Sequence, residues 1–161
     1  THPLVGPASM HCALVEGGAG LSTYAPECRL KIERRTLPGE TPELVIEELR
    51  GVVRGAGEEA DVSLLLDRPP LTCRADSGIA RCVRDAATAI TGAAPAERGV
   101  AYWMDAALFA GAGIPAVDLG PDGAGAHEDI EWVDVDSLVT CARIFAECGR
   151  SFDRYAAAPS R

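Results

Sequence analysis

The residues best placed to do chemistry lie between Gly120 and Val133, in Gly120-Pro121-Asp122-Gly123-Ala124-Gly125-Ala126-His127-Glu128-Asp129-Ile130-Glu131-Trp132-Val133. Three glycines within six residues free the backbone to turn, and a single imidazole follows on the far side. An imidazole at neutral pH can ligate a metal ion or carry a proton, although a lone histidine is more often structural. Glu131 follows His127 by four residues and can orient the loop. His11 alternates with apolar neighbours beside Cys12, the pattern of a strand histidine on a domain surface. Glu16-Gly17-Gly18-Ala19-Gly20 has the glycine content of a phosphate loop but lacks the Lys-Ser/Thr pair, and no helix pattern follows it. The six cysteines, Cys12, Cys28, Cys73, Cys82, Cys141 and Cys148, contain no CxxC pair. They fall on apolar positions, where free cysteine acts as a small hydrophobe. A disulfide framework or a thiolate metal site is the weaker alternative.

Periodicity supplies the elements that must position these groups. Pro115–Leu119 reads as a buried strand feeding the glycine loop, and Leu138, Cys141, Ala142, Phe145 and Cys148 mark a helix after it, capped by Asp136 or Ser137. A loop leaving a strand for a helix is where α/β proteins place function. Upstream, Met10–Val15 is a strand ended by the Gly17–Gly20 turn. Cys28–Arg35 alternates with Cys28, Leu30 and Ile32 on one face and Arg29, Lys31, Glu33 and Arg35 on the other, so one side is wet. Thr41 caps a helix with Pro42 in its first position, and Gly55 and Gly57 end it. Asp61–Asp67 alternates again. Strand, strand, helix, strand is most of an α+β sandwich of the split βαβ kind, with one βα unit missing at the front. From Cys73 the pattern changes to a helix capped at Asp76-Ser77, a short strand over Val100–Trp103, a short helix over Ala106–Ala112, then the strand, loop and helix already described. That is half of an α/β layer, with a domain boundary near Thr72.

Composition narrows the classes. The 161 residues are 47 % hydrophobic and 24 % charged, as expected of one or two globular domains. No run of eighteen apolar residues is present to span a membrane, and no basic-then-apolar signal opens the chain. A net charge of −9 repels phosphate backbones, so nucleic-acid binding is not expected. Reduced cysteines point to the cytoplasm. The opening Thr1-His2-Pro3 is expected to mark a fragment or a processed product.

Gly120-Pro121, the glycines, Ala126-His127 and Glu131-Trp132-Val133 resemble the C-terminal metal motif of the acetylornithine deacetylase and succinyl-diaminopimelate desuccinylase family, whose relatives include aminoacylases and glutamate carboxypeptidases. The agreement runs over fourteen positions. His2-Pro3-Leu4-Val5-Gly6 through Glu16-Gly17-Gly18, then Leu21-Ser22-Thr23-Tyr24 and Glu33-Arg34-Arg35-Thr36-Leu37-Pro38-Gly39-Glu40, are similar to its lid, or dimerisation, domain. Tyr102-Trp103-Met104-Asp105-Ala106-Ala107 is similar to the final third of its zinc-binding domain. The resemblance implies a ferredoxin-like lid over residues 1–72, incomplete at the front, and the C-terminal segment of the catalytic domain over 73–161.

The resemblance also implies a chemistry. Members cleave an amide bond of an N-acyl amino acid or small peptide with two bridged zinc ions, cobalt or manganese being possible substitutes. Zinc polarises the carbonyl, and a glutamate deprotonates the attacking water. By this likeness His127 is a metal ligand. Arg35 stands where the family grips the substrate carboxylate, a task suited to the planar guanidinium fork, with pairing to Glu33 or Glu40 as the alternative. Arg68, in Asp67-Arg68-Pro69-Pro70, resembles a second substrate-side arginine, and Asp105 matches an aspartate near the substrate pocket. Met104 replaces a frequent threonine and Thr23 a frequent asparagine, so polar contacts from those positions are not carried over. The family's His-x-Asp, bridging Asp, Glu-Glu pair and lid histidine all precede Thr1. Hence no catalytic residue is assigned, and the chain alone is expected to be inactive. A homodimer through the lid is implied, and a non-catalytic dimerisation module of the same lineage is the rival reading. Nucleotide binding by the 120–127 loop would need a helix N-terminus aimed at it.

Overall fold

The computed structural model describes residues 1–156, which fall into two compact units. Residues 1–70 and 98–103 form the first; residues 71–97 and 104–156 form the second.

The first unit is built on a hairpin. Strands β1 (Ser9–Gly17) and β2 (Cys28–Arg35) pair antiparallel from Ser9↔Arg35 to Gly17↔Cys28, with the register shifted between Cys12 and Leu14. The pleat puts Cys28, Leu30, Ile32 and Arg34 on one face and Arg29, Lys31, Glu33 and Arg35 on the other, but the expected dry side is not covered: Cys28 and Leu30 are exposed and Ile32 is half-buried. Helix α1 (Pro42–Gly55) starts as its sequence demands: Thr41 Oγ1 accepts the Leu44 N–H at 3.4 Å and Pro42 occupies the first turn. The Arg34 side chain, only 15 % exposed, ties β2 to the turn before this helix through Glu40 (2.8 Å) and to the helix itself through Glu48 (3.2 Å). The segment 98–103 lies close to the N-terminal turn. A Cβ at Gly99 would meet Val5 Cγ1 at 2.5 Å and Leu4 Cβ at 2.8 Å, so glycine is required for that approach.

The second unit holds every fully buried residue among those described. Helix α2 (Gly78–Thr91) is capped by Ser77, whose Oγ accepts from Ala80 N at 3.3 Å, and it closes on Gly92 in the left-handed region. It packs on α4 (Val135–Ser151), with Ala86 and Ala87 against Ile144 and with Leu119 and Cys148 at the margin. Small residues opposite a branched one let the two helices approach closely. Cys82, with no exposure, directs its thiol to the Cys148 carbonyl at 3.8 Å. A short α5 (Asp153–Ala156) folds back on α2, where Tyr155 donates to Asp85 Oδ2 at 2.6 Å. Between these lie α3 (Ala106–Gly111) and a miniature hairpin of β3 (Gly123–Ala124) and β4 (Trp132–Val133).

Several expectations need correction. Asp61–Asp67, Val100–Trp103 and Pro115–Leu119 are not strands, and Pro115–Leu119 is not a buried run. Alternation or apolarity marks a face, but a strand exists only where a neighbouring backbone supplies hydrogen-bond partners, and no described segment pairs with these three. The first unit therefore has two strands and one helix of the expected sandwich, without its third strand. The last helix is capped by Asp134, whose Oδ1 accepts from Ser137 N at 2.6 Å, two to three residues ahead of the expected caps. Ser137 instead donates to the Asp134 carbonyl and receives the Asp122 N–H.

Candidate functional site

Four positions drew attention from the sequence, and the structure places them in different surroundings. Arg35 and Arg68 belong to the first unit, Asp105 and His127 to the second.

His127 rides on the loop between β3 and β4. The hairpin is closed by Gly123↔Val133 and Ala124↔Trp132, and its base is tied to the start of α4 by Asp134 N–H to the Asp122 carbonyl at 2.8 Å and Asp122 N–H to Ser137 Oγ at 2.9 Å. Within the loop, Glu128 N–H donates to the Gly125 carbonyl at 2.8 Å. Gly125, at φ 77°, has no room for a side chain: a Cβ would run into the Ile130 carbonyl oxygen and sit 3.3 Å from Glu131 Cα. His127 is the one non-glycine residue among those described with a positive φ, 66°. Left-handed backbone is tolerated by histidine but disfavoured, and such outliers concentrate at functional positions. Its imidazole is exposed and has no side-chain hydrogen bond among the described residues. Glu131 is likewise exposed. In the run entering the loop, partial desolvation raises the Asp118 carboxyl from its ordinary value, although the residue is exposed.

Arg35 shares a face of β2 with Arg29, Lys31 and Glu33 and is half-buried, and its fork is largely engaged. Nε stands 2.5 Å from Glu33 Oε1, and Nη1 donates to the Ala101 carbonyl at 3.2 Å. Glu33 in turn meets His11 Nε2 at 3.2 Å across the hairpin, so His11 is a surface strand histidine beside a carboxylate. Glu40, the other expected partner of Arg35, is taken by Arg34. Arg68 stacks 4.3 Å above the Trp103 ring centroid, and the Trp103 indole N–H donates to the Pro69 carbonyl at 3.1 Å. The pairing of Glu33 with Arg35 was foreshadowed by their alternation on one strand face, whereas its cross-strand contact with His11 was not. The role of Trp103 had no sequence signal, since it is thirty-four residues from the carbonyl it reaches. Asp105 precedes α3 with helical backbone angles and makes no side-chain cap.

Zinc binds tetrahedrally through four ligands in structural sites and through three plus water in catalytic ones. Among the described residues no three His, Cys, Asp or Glu side chains converge to hold a metal ion. His127 supplies one donor, so these residues do not by themselves compose a metal centre. The cysteines do not substitute. Cys82 and Cys141 are buried, and Cys148 is pushed up to about 11 by burial and by the neighbouring Cys82, keeping it a neutral thiol. No described helix is long and apolar enough to cross a membrane.

A profile of peptidase family M20/M25/M40 matches residues 5–150. Acetylornithine deacetylase of Myxococcus xanthus is 28 % identical over 150 residues, covering 89 % of this chain and 38 % of that protein. The crystal structure of an M20 family metallo-carboxypeptidase from Sulfolobus solfataricus superposes with a TM-score of 0.70 at 18 % identity, over 92 % of this chain and 36 % of its own. The chain thus spans well under half the length of either protein.

Proposed function

The chain belongs to peptidase family M20/M25/M40, a family of metal-dependent hydrolases, and from that membership we propose that it is the C-terminal part of an amidohydrolase acting on N-acyl amino acids or small peptides. In this reading His127 is one ligand of a zinc centre, with cobalt or manganese as substitutes. The remaining ligands and the general base come from polypeptide outside the 161 residues. The observation that carries the proposal is an exposed, unpartnered imidazole held in left-handed backbone on a loop locked at both ends. A histidine kept for packing would be buried or hydrogen-bonded; among the described residues this one is neither. Arg68, and Arg35 once Glu33 releases it, orient the substrate carboxylate. Asp105 lies beside the substrate. The chain alone is inactive in this proposal, and the compartment is the cytoplasm.

The test is metal content and activity of the full-length protein against a panel of N-acyl amino acids. His127→Ala is expected to lose bound metal and turnover together. Full metal occupancy with full activity would overturn the assignment.

The first unit is proposed to dimerise. Among the described residues each strand of its two-stranded sheet keeps one unpaired edge, and Met10, Val15 and Leu30 are all at least half exposed on one face. Sedimentation that returns only monomer at high micromolar concentration would refute this.

A further inference from the structure

Among the arginines of this acidic chain, Arg34, Arg35, Arg54, Arg74, Arg84 and Arg150 each end on a carboxylate. Arg68 has no such partner among the described residues, although Asp67 is its neighbour in sequence. Its guanidinium lies instead over the Trp103 ring, 4.3 Å from the centroid. Stacking occupies the face of a guanidinium and leaves its in-plane N–H groups pointing outward, the arrangement that receives a carboxylate in a bidentate manner. The same indole fixes the backbone beneath, since Trp103 Nε1 donates to the Pro69 carbonyl at 3.1 Å. Pro69 and Pro70 add a further restraint, because a residue before proline is confined to extended backbone. The segment that carries Trp103 also supplies the Ala101 carbonyl that receives Arg35. Residues 98–103 therefore contact both arginines, Arg35 with its fork largely engaged and Arg68 with no carboxylate on its fork among the described residues.

We propose that Trp103 is a positioning residue that stacks on Arg68, presenting its guanidinium edge to a ligand carboxylate. The inference rests on the reading that Arg68 grips the substrate carboxylate. Without the indole, a long side chain on an exposed loop must lose its rotamer freedom when ligand arrives. Removing Trp103 is therefore expected to weaken carboxylate binding about two- to tenfold.

The experiment titrates the native chain with N-acetylglycine, and with N-acetylglycinamide as the control that lacks a carboxylate, following the Arg68 Nε–H and Trp103 indole N–H resonances. The native chain is expected to bind the acid in preference to the amide, and R68Q to abolish that preference. W103L is expected to reduce it about two- to tenfold, and W103F, which keeps an aromatic face, to stay within about twofold of native. A merely structural role for Trp103 would lower the melting temperature without moving the ratio of acid to amide affinity. If R68Q leaves the preference intact, the reading of Arg68 falls and the inference with it. If R68Q abolishes the preference but W103L does not change it, only the inference is overturned. Should W103L fail to fold, side-chain order in the native chain decides: an Arg68 Nε–H as averaged as that of the exposed Arg29 overturns the proposal, and a more ordered one upholds it.

Discussion

The loop that carries His127 contains glycines of unequal structural importance, and substituting each by alanine separates them. Gly125 lies at φ 77°, and a Cβ there meets the Ile130 carbonyl oxygen and lies 3.0 Å from its carbon. Left-handed backbone costs an alanine about 1–2 kcal/mol, less about 0.4–1 kcal/mol recovered because alanine restricts the unfolded chain. The steric conflict adds to this because the obstructing group is backbone, so residues 125–131 must move together. The net cost of Gly125→Ala is about 1–3 kcal/mol. Gly123→Ala meets the Trp132 carbonyl oxygen at 2.5 Å without unusual φ, and belongs with Gly125 in direction. Gly120→Ala meets nothing within 4 Å at an ordinary φ, and is expected to be neutral or stabilising by up to about 1 kcal/mol. The assay is native-state hydrogen exchange at the amides of Glu128 and Asp134, which close the loop and its base. It registers local opening even where α2 and α4 remain folded. Gly125→Ala should speed exchange about fivefold to a hundredfold, with displaced His127 ring resonances. Unchanged protection in Gly125→Ala, or equal loss in Gly120→Ala, would refute the reasoning.

Ile144→Ala removes the largest side chain of the α2–α4 core and is expected to cost about 2–5 kcal/mol in urea unfolding; a loss below about 1 kcal/mol would mean the helices collapse onto the gap. Asp134→Ala deletes the cap of α4 and should cost about 0.5–2 kcal/mol in the same assay. Because burial and the Cys82 thiol raise Cys148 to about 11, its neutral form is favoured by folding. Stability from this group is complete below the ordinary thiol value of about 8.5 and is lost as pH rises through about 11. Alkaline unfolding should therefore be blunted in Cys148→Ala, and at neutral pH a thiol reagent should modify the exposed Cys12 and Cys28 before Cys82, Cys141 or Cys148.

The parts of the fold legible in the sequence are those fixed locally. Thr41-Pro42 and Ser77 begin helices through groups within one turn, and each does so in the structure. The alternation of Cys28–Arg35 is satisfied by a neighbour joined through one connection, β1. Asp61–Asp67 and Pro115–Leu119 carry comparable patterns, yet their strand character depends on partners that no short-range signal provides. The slip of the last cap from Asp136 or Ser137 to Asp134 has a similar origin. Ser137 has a hydroxyl suited to capping, but the β3–β4 hairpin claims it for Asp122. At the candidate site, the family resemblance singled out His127, whereas spacing alone favoured a structural histidine; neither disclosed its left-handed backbone or the hairpin that enforces it. Glu33 as the ion-pair partner of Arg35 was legible from the strand period. The indole above Arg68 was not, because stacking between residues 68 and 103 leaves no trace in local pattern.

His127 itself offers the sharpest separation of structural from functional roles. At φ 66° its Cβ is a burden on the loop, and its ring makes no hydrogen bond among the described residues that would offset the cost. Glycine accepts this backbone freely, although it gives the unfolded chain more freedom to lose. The two effects are of similar size and opposite sign, so His127→Gly should alter Glu128 exchange by no more than about 1 kcal/mol in either direction. His127→Ala keeps the Cβ and should match the native chain. In the full-length protein both variants should lose metal while the loop stays closed, the signature of a residue kept for its donor atom at some expense in stability. If His127→Gly or His127→Ala instead opens the loop by more than about 2 kcal/mol, the ring is holding the hairpin together, and the case for His127 as a ligand fails with it.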